Sequence, residues 1–192
     1  MRVMSSPDLW SGQDRMLTVA DMEDMPDDEF RYELDDGVLI VSPAPSRLHQ
    51  LVVARLTVIL SAACPPKFVV LPGVGVNISR HQHRVPDVAV VRADSFETFF
   101  QETPPVLAVE VASPRTRLYD RNRKKDIYEG FGIASYWIVA AERDRPELTV
   151  FELRCGKYEL VAQVAGDDAF EAELPFPVTI VPSLLVTTSP LA

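Results

Sequence analysis

Val106-Leu107-Ala108-Val109-Glu110-Val111-Ala112 reads as a strand buried on both faces, with one acid set into it. Strand alternation puts Val106, Ala108, Glu110 and Ala112 on one face. An ionised carboxylate there is costly unless it is paired, hydrogen-bonded or bound to a metal. A second run, Asp87-Val88-Ala89-Val90-Val91, opens on an acid directly after Pro86. Two acids on adjacent apolar strands, facing one side, make an oxygen-ligand site suited to Mg²⁺ or Mn²⁺. The structural alternative is that Asp87 caps a strand end and Glu110 pairs with a core arginine.

Outward from these strands the pattern is mixed. Residues 1–17 read as a loosely ordered lead-in, and Thr18 can cap a short helix closed by Pro26. Arg31–Leu34, the Asp35-Asp36-Gly37 step and Val38–Val41 form a β-hairpin pattern. From Ser46 to about Cys64, Leu48, Leu51, Val52, Leu56, Ile59, Leu60 and Ala63 recur at helical spacing, and Pro65-Pro66 ends the run. Lys67–Leu71, Val74–Ile78, Val85–Val91 and Val106–Ser113 are strand-like. A second helix is expected from about Tyr119 to Gly130, followed by strands at Tyr136–Ala141, Leu148–Leu153 and Tyr158–Val164. The order predicts a mixed α/β (α+β) fold, a mixed sheet with helices packed against it, in one domain over 18–186 with a tail at 187–192.

Arg115-Thr116-Arg117-Leu118-Tyr119-Asp120-Arg121-Asn122-Arg123-Lys124-Lys125 is the one strongly basic stretch. On a helix, Lys124 shares a stripe with Ile127, Tyr128 and Phe131, whereas Lys125 aligns with Arg121, Asn122 and Glu129 on the water-facing side. An ammonium pointing toward two carboxylates can stabilise developing negative charge or orient a water. The plainer alternative is that Lys124 lays its stem along apolar surface with its amine in solvent.

The chain has 192 residues, 47% of them hydrophobic, enough for one well-buried core. Its formal net charge of −9 argues against tight non-specific binding to nucleic acid, which counterion release would drive. The acids Asp21, Glu23, Asp24, Asp27, Asp28 and Glu29 make a protein partner credible. Cys64 and Cys155 stand apart, without zinc-ligand spacing, and suit a reducing compartment. No apolar run could span a bilayer, and the first residues lack a signal-peptide core. A cytoplasmic protein is expected.

Several ordered motifs carry a family resemblance: Tyr32-Glu33-Leu34-Asp35-Asp36-Gly37, Ser42-Pro43 leading to His49-Gln50, and Val85-Pro86-Asp87-Val88. They continue with Val109-Glu110-Val111, Ser113-Pro114, Asp120 with Lys124 and Tyr128, and Tyr136-Trp137-Ile138-Val139. In order and spacing, from about Thr18 to Leu185, the chain resembles the Uma2 family of endonucleases, a branch of the PD-(D/E)XK superfamily with a restriction-endonuclease-like fold. The resemblance implies that Pro86-Asp87 is the "PD" and Glu110 the second acid. The superfamily pattern then expects lysine two residues on, where Ala112 stands, and by resemblance that lysine has moved to Lys124. Glu33 is the candidate for a further metal-site acid, with a hairpin salt bridge as its alternative. His49, and by resemblance Tyr128, would line the site; by chemistry alone His49 is equally a packed core histidine.

The implied activity is Mg²⁺- or Mn²⁺-dependent phosphodiester hydrolysis of nucleic acid, with DNA the expected partner. Asp87, Glu110 and the Val111 carbonyl would hold the metal and Lys124 would serve catalysis. Arg115, Arg117, Arg121 and Arg123 would contact phosphates. Two other readings stay open. One is a nuclease-fold module without activity, binding nucleic acid or protein through Arg115–Lys125; the other is a hydrolase of other phosphate esters. A homodimer is expected only because double-strand cutters pair two sites.

Overall fold

The computed structural model describes residues 15–26, 28, 30–96, 103–113 and 116–189. The chain opens with a 3₁₀ turn, Val19–Asp24, capped by Thr18 through its reciprocal contacts with Asp21. The hairpin follows as β1 (Arg31–Asp35) and β2 (Val38–Ser42), and Ser46 caps α1 (Arg47–Ala63) by accepting the His49 N–H at 3.2 Å. Next come β3 (Phe68–Pro72), β4 (Val76–Ser79), β5 (Gln82–Arg84), β6 (Val88–Arg92) and β7 (Leu107–Ala112). A continuous helical segment comprises α2 (Arg117–Tyr119), a π turn (Asp120–Lys124) and α3 (Lys125–Phe131). The chain closes with β8 (Ser135–Ala140), β9 (Glu147–Arg154), β10 (Lys157–Ala165), β11 (Phe170–Ala172), β12 (Val178–Ile180) and α4 (Pro182–Val186).

The central sheet has the order β10-β9-β8-β7-β6-β3, antiparallel except for the β7–β8 pair. Its two faces carry separate cores. Val88, Val90, Leu107, Val109 and Val111 pack with Val52, Leu56 and Leu60 of α1 and with Leu185 of α4. On the other face Ala108 and Ala112 join Tyr128, Ile133, Tyr136 and Ile138. β7 and β8 are therefore buried on both sides, and every residue of both strands is buried. A smaller sheet, β2-β1-β5-β4, lies beside this one, and β11 pairs with β12.

Three expectations need correction. Val85–Val91 is not one strand: Gln82–Arg84 belongs to the smaller sheet, and β6 begins only at Val88. Pro86 has no N–H to give to a central ladder, so Val85-Pro86-Asp87 becomes the crossing between sheets. Leu17 is not part of a loose lead-in, because it is buried and its N–H donates to the Gly37 carbonyl at 2.9 Å; residues 1–14 lie outside the described ones. β11, β12 and α4 were not expected, being short segments without clear period. Among the described residues no helix is long and apolar enough to cross a membrane.

The hairpin turn has positive φ at Asp36 (49°) and Gly37 (77°), the geometry that suits right-twisted strands. A Cβ at Gly37 would stand 2.7 Å from the Met16 Cβ. Gly37→Ala should therefore destabilise the protein by about 1–3 kcal/mol, from backbone strain and the clash together, read as a lower urea midpoint at unchanged slope.

Candidate active site

The β6–β7 register pairs Val88 with Val109 and Ala89 with Ala108. Extended by one pair it sets Asp87 opposite Glu110, and both acids line one cavity of about 660 Å³. One pair further, Pro86 stands opposite Val111. Proline has no N–H to return to the Val111 carbonyl, while the Val111 N–H donates instead to Asp87 Oδ2 at 2.8 Å.

Asp87 is buried and multiply held. Its Oδ2 also lies 3.0 Å from His49 Nε2, and its Oδ1 accepts from Arg31 Nη1 at 2.6 Å. Burial works against the charged form. The hydrogen bond from His49 and the charges of His49, Arg31 and Lys124 outweigh it and lower Asp87 to about 2. His49 reaches the site from the first turn of α1, as expected of a lining residue.

Glu110 is bound at both oxygens. Tyr128 OH donates to Oε1 at 2.7 Å, and Lys124 Nζ stands 2.9 Å from Oε2. Lys124 is buried, with Glu33 Oε1 at 3.7 Å and Asp120 Oδ1 at 3.8 Å as further partners. Burial disfavours the ammonium, yet the charges of Glu110, Glu33, Asp120 and Asp87 raise Lys124 above the ordinary lysine value. Glu110 and Asp120 are both raised, chiefly by burial and against the pull of Lys124. Glu33 accepts the Val85 N–H at 2.8 Å and faces Lys124, so its partners are not in the hairpin. Tyr128 stands behind Glu110 rather than in the cavity wall.

The basic strip is not the free surface that the sequence suggested. Arg117 pairs with Glu142 at 3.0 Å, Arg121 with Glu147 at 2.6 Å and Arg123 with Asp35 at 2.6 Å; Arg115 lies outside the described residues. In an acidic chain each guanidinium finds a carboxylate on a neighbouring element. Lys125 is not simply in water either, since its ammonium lies 5.4 Å from the centroid of the Phe151 ring.

Sequence reasoning missed the cluster that seats the helix. Asp35 accepts from Tyr119 OH at 2.9 Å as well as from Arg123, and its Oδ1 stands 2.9 Å from the fully buried Arg84. It also missed Arg31, and it named Asp120 among the motifs without giving it a place in the site. The spacing of Asp120 four residues before Lys124 could have assigned that place, whereas nothing local marks Arg31 or Arg84.

For a divalent cation the donor set is suitable: the Asp87, Glu110 and Glu33 carboxylates and the Val111 carbonyl are hard oxygen donors. Among the described residues no three His, Cys, Asp or Glu groups already converge as metal ligands. The ammonium of Lys124 stands between the acids instead. The cavity lining holds the acids Glu33, Asp87, Glu110 and Asp120 against the permanent cations Arg31 and Lys124, so negative groups are in excess. A divalent cation has the charge to offset that excess.

The sequence profile of the Uma2 family, described as "Putative restriction endonuclease", matches residues 19–187. The chain belongs to the Uma2 family. A crystal structure described as "a putative nuclease belonging to DUF820", from Anabaena variabilis ATCC 29413, superposes with a TM-score of 0.69 at 14% identity. The match covers 88% of this chain and 97% of that one. The expected mixed α+β architecture, a mixed sheet with helices packed against it, is thereby shared with that structure. A search of the curated proteins gives no significant match.

The lowered Asp87 makes an acid-side prediction. Its ionised form contributes fully above the ordinary value near 3.8 and is lost as pH falls through about 2. Melting temperature should therefore fall across that window, by an amount on the order of 2 kcal/mol of stability. Asp87→Asn should flatten this limb, and an unchanged acid limb would show that Asp87 is not held as described.

Proposed function

We propose that this Uma2 protein is a metal-dependent endonuclease that hydrolyses phosphodiester bonds of nucleic acid, with DNA as its substrate. The observation that carries this reading is the buried lysine set among an excess of carboxylates on one cavity, in a chain of the family described as "Putative restriction endonuclease". Asp87 and Glu110 would hold Mg²⁺ or Mn²⁺, with the Val111 carbonyl and Glu33 as further donors. Such a cation, when bound, supplies Lewis acidity that activates water near neutral pH and offsets phosphate charge.

The protein's own groups divide the remaining work. His49 and the Val111 N–H orient Asp87 through Oδ2, and Tyr128 orients Glu110 through Oε1. Fixed acceptors of this kind set ligand direction before substrate arrives. Lys124 keeps its proton because four acids surround it. Its role is to stabilise negative charge developing on the phosphate and to orient the attacking water.

The test is cleavage of plasmid DNA in Mg²⁺ or Mn²⁺ against EDTA, with Asp87→Ala as control. Cleavage that survives EDTA or Asp87→Ala would overturn the reading, and turnover of simple chromogenic phosphoesters without DNA cleavage would favour a different esterase. Lys124→Ala should lower the rate by roughly two to three orders of magnitude. Lys125→Ala loses its contact with Phe151 and its attraction to Glu129, both outside the cavity, so it should cost about 0.5–1 kcal/mol of stability and change the rate little. Rates and melting temperatures measured on both variants check the assignment, which equal losses of rate would refute.

A further inference from the structure

Asp87 uses its two oxygens differently. Oδ2 is fixed by the Val111 N–H and by His49, both parts of well-packed elements. Oδ1 is engaged by Arg31 Nη1, from a side chain that is 35% exposed, against 5% for Lys124. Arg31 Nη1 has one other contact, the Val85 carbonyl at 3.4 Å, which is longer than an ordinary N–H···O bond. Among the described residues neither Nε nor Nη2 of Arg31 has a hydrogen-bonded acceptor. One nitrogen is held on the acid, and the rest of the fork is free to take another anion.

Position adds to this. Arg31, His49 and Asp87, with Pro43, Ala44 and Pro45, line both the 660 Å³ cavity and a second one of about 410 Å³. The second cavity continues over Phe30, Gln50, Val53 and Gly73, and among the described residues Asp87 is the one acid in its lining. Among the same residues Arg31 is the one permanently charged cation there. A phosphate entering from that side would meet a planar donor fork of the shape that binds phosphate oxygens bidentately.

We propose that Arg31 is a phosphate-binding residue held in reserve on Asp87, and that a divalent cation arriving at Oδ1 releases it toward the substrate phosphate in the second cavity. This rests on the nuclease reading above. A metal ion and a guanidinium on one carboxylate oxygen repel each other, so one displaces the other. The displaced fork needs only to turn about its own side chain to face the neighbouring cavity. Metal binding and phosphate binding are then coupled through one residue.

The coupling gives Arg31→Ala two effects of opposite sign. Mn²⁺ affinity, measured by calorimetry, should rise roughly tenfold or more, because a competing positive charge is gone. Affinity for a fluorescein-labelled DNA duplex in Ca²⁺, measured by anisotropy, should fall roughly tenfold or more with the loss of a charge-assisted contact. Arg31→Gln, which keeps a neutral donor beside Asp87, should show the same two signs and serves if the alanine variant melts too low. A residue that merely steadies Asp87 would instead lose about 10- to 100-fold in Mn²⁺ affinity on removal, and that result overturns the proposal. Unchanged DNA affinity overturns it as well. Wild-type protein that binds neither Mn²⁺ nor DNA would fail one step earlier, taking down the nuclease reading and this proposal with it.

Discussion

The ammonium of Lys124, placed among Glu110, Glu33 and Asp120, ties together three parts of the molecule at one point. Glu110 comes from the central sheet, Glu33 from the smaller one, and Asp120 and Lys124 from the helical segment between β7 and β8. Taking such charges out of water costs several kcal/mol per ion, and mutual attraction repays this only when the geometry is good and the partners are complete. The cluster is therefore poor at adding net stability and good at specifying position. Remove the lysine and the acids lose the cation nearest Glu110, keeping Arg31 on the far side; remove an acid and the lysine is buried with less than it needs.

The π turn at Asp120–Lys124 serves the same constraint. Asp120 and Lys124 are both buried within it, before the helix resumes ordinary geometry and buries Tyr128. Irregular turns of this kind within helices cluster at functional positions, where an exact α-helical spacing would misplace a side chain. Outside the cavity, Arg123 and Tyr119 fasten the same turn to Asp35, and Asp35 in turn stands against the fully buried Arg84. The hairpin thus contributes Glu33 on its inner side and an anchor for the helical segment at its tip.

Pro86 does comparable work in the backbone. By withholding an N–H where β6 would otherwise extend, it ends that strand and lets the chain cross to the smaller sheet. It leaves the Val111 amide to Asp87 and the Val111 carbonyl without a donor from that residue. A proline followed by an acid, at the end of a buried antiparallel pair, delivers one carboxylate and one carbonyl oxygen to the same place. The expected chemistry depends on both.

Local periodicity was enough to read α1 from Ser46 onward, the hairpin with its Asp-Gly turn, and β7 with Glu110 in it, because each is set by residues adjacent in the chain. That Asp87 and Glu110 line one cavity was also expected, although Asp87 stands just before its strand rather than within it. The separation of Lys124 from Lys125 followed from helical rotation alone, which turns successive side chains by about 100°. What the sequence could not show were partners distant in the chain. Arg117, Arg121 and Arg123 form a basic run on paper, yet Glu142, Glu147 and Asp35 neutralise them in space. Arg31 carries no local mark, and becomes significant only because the fold brings it to within 2.6 Å of an acid 56 residues away. Side-chain type and spacing decide which groups a strand or helix presents, whereas long-range packing alone decides which charges meet and which stay free for a ligand.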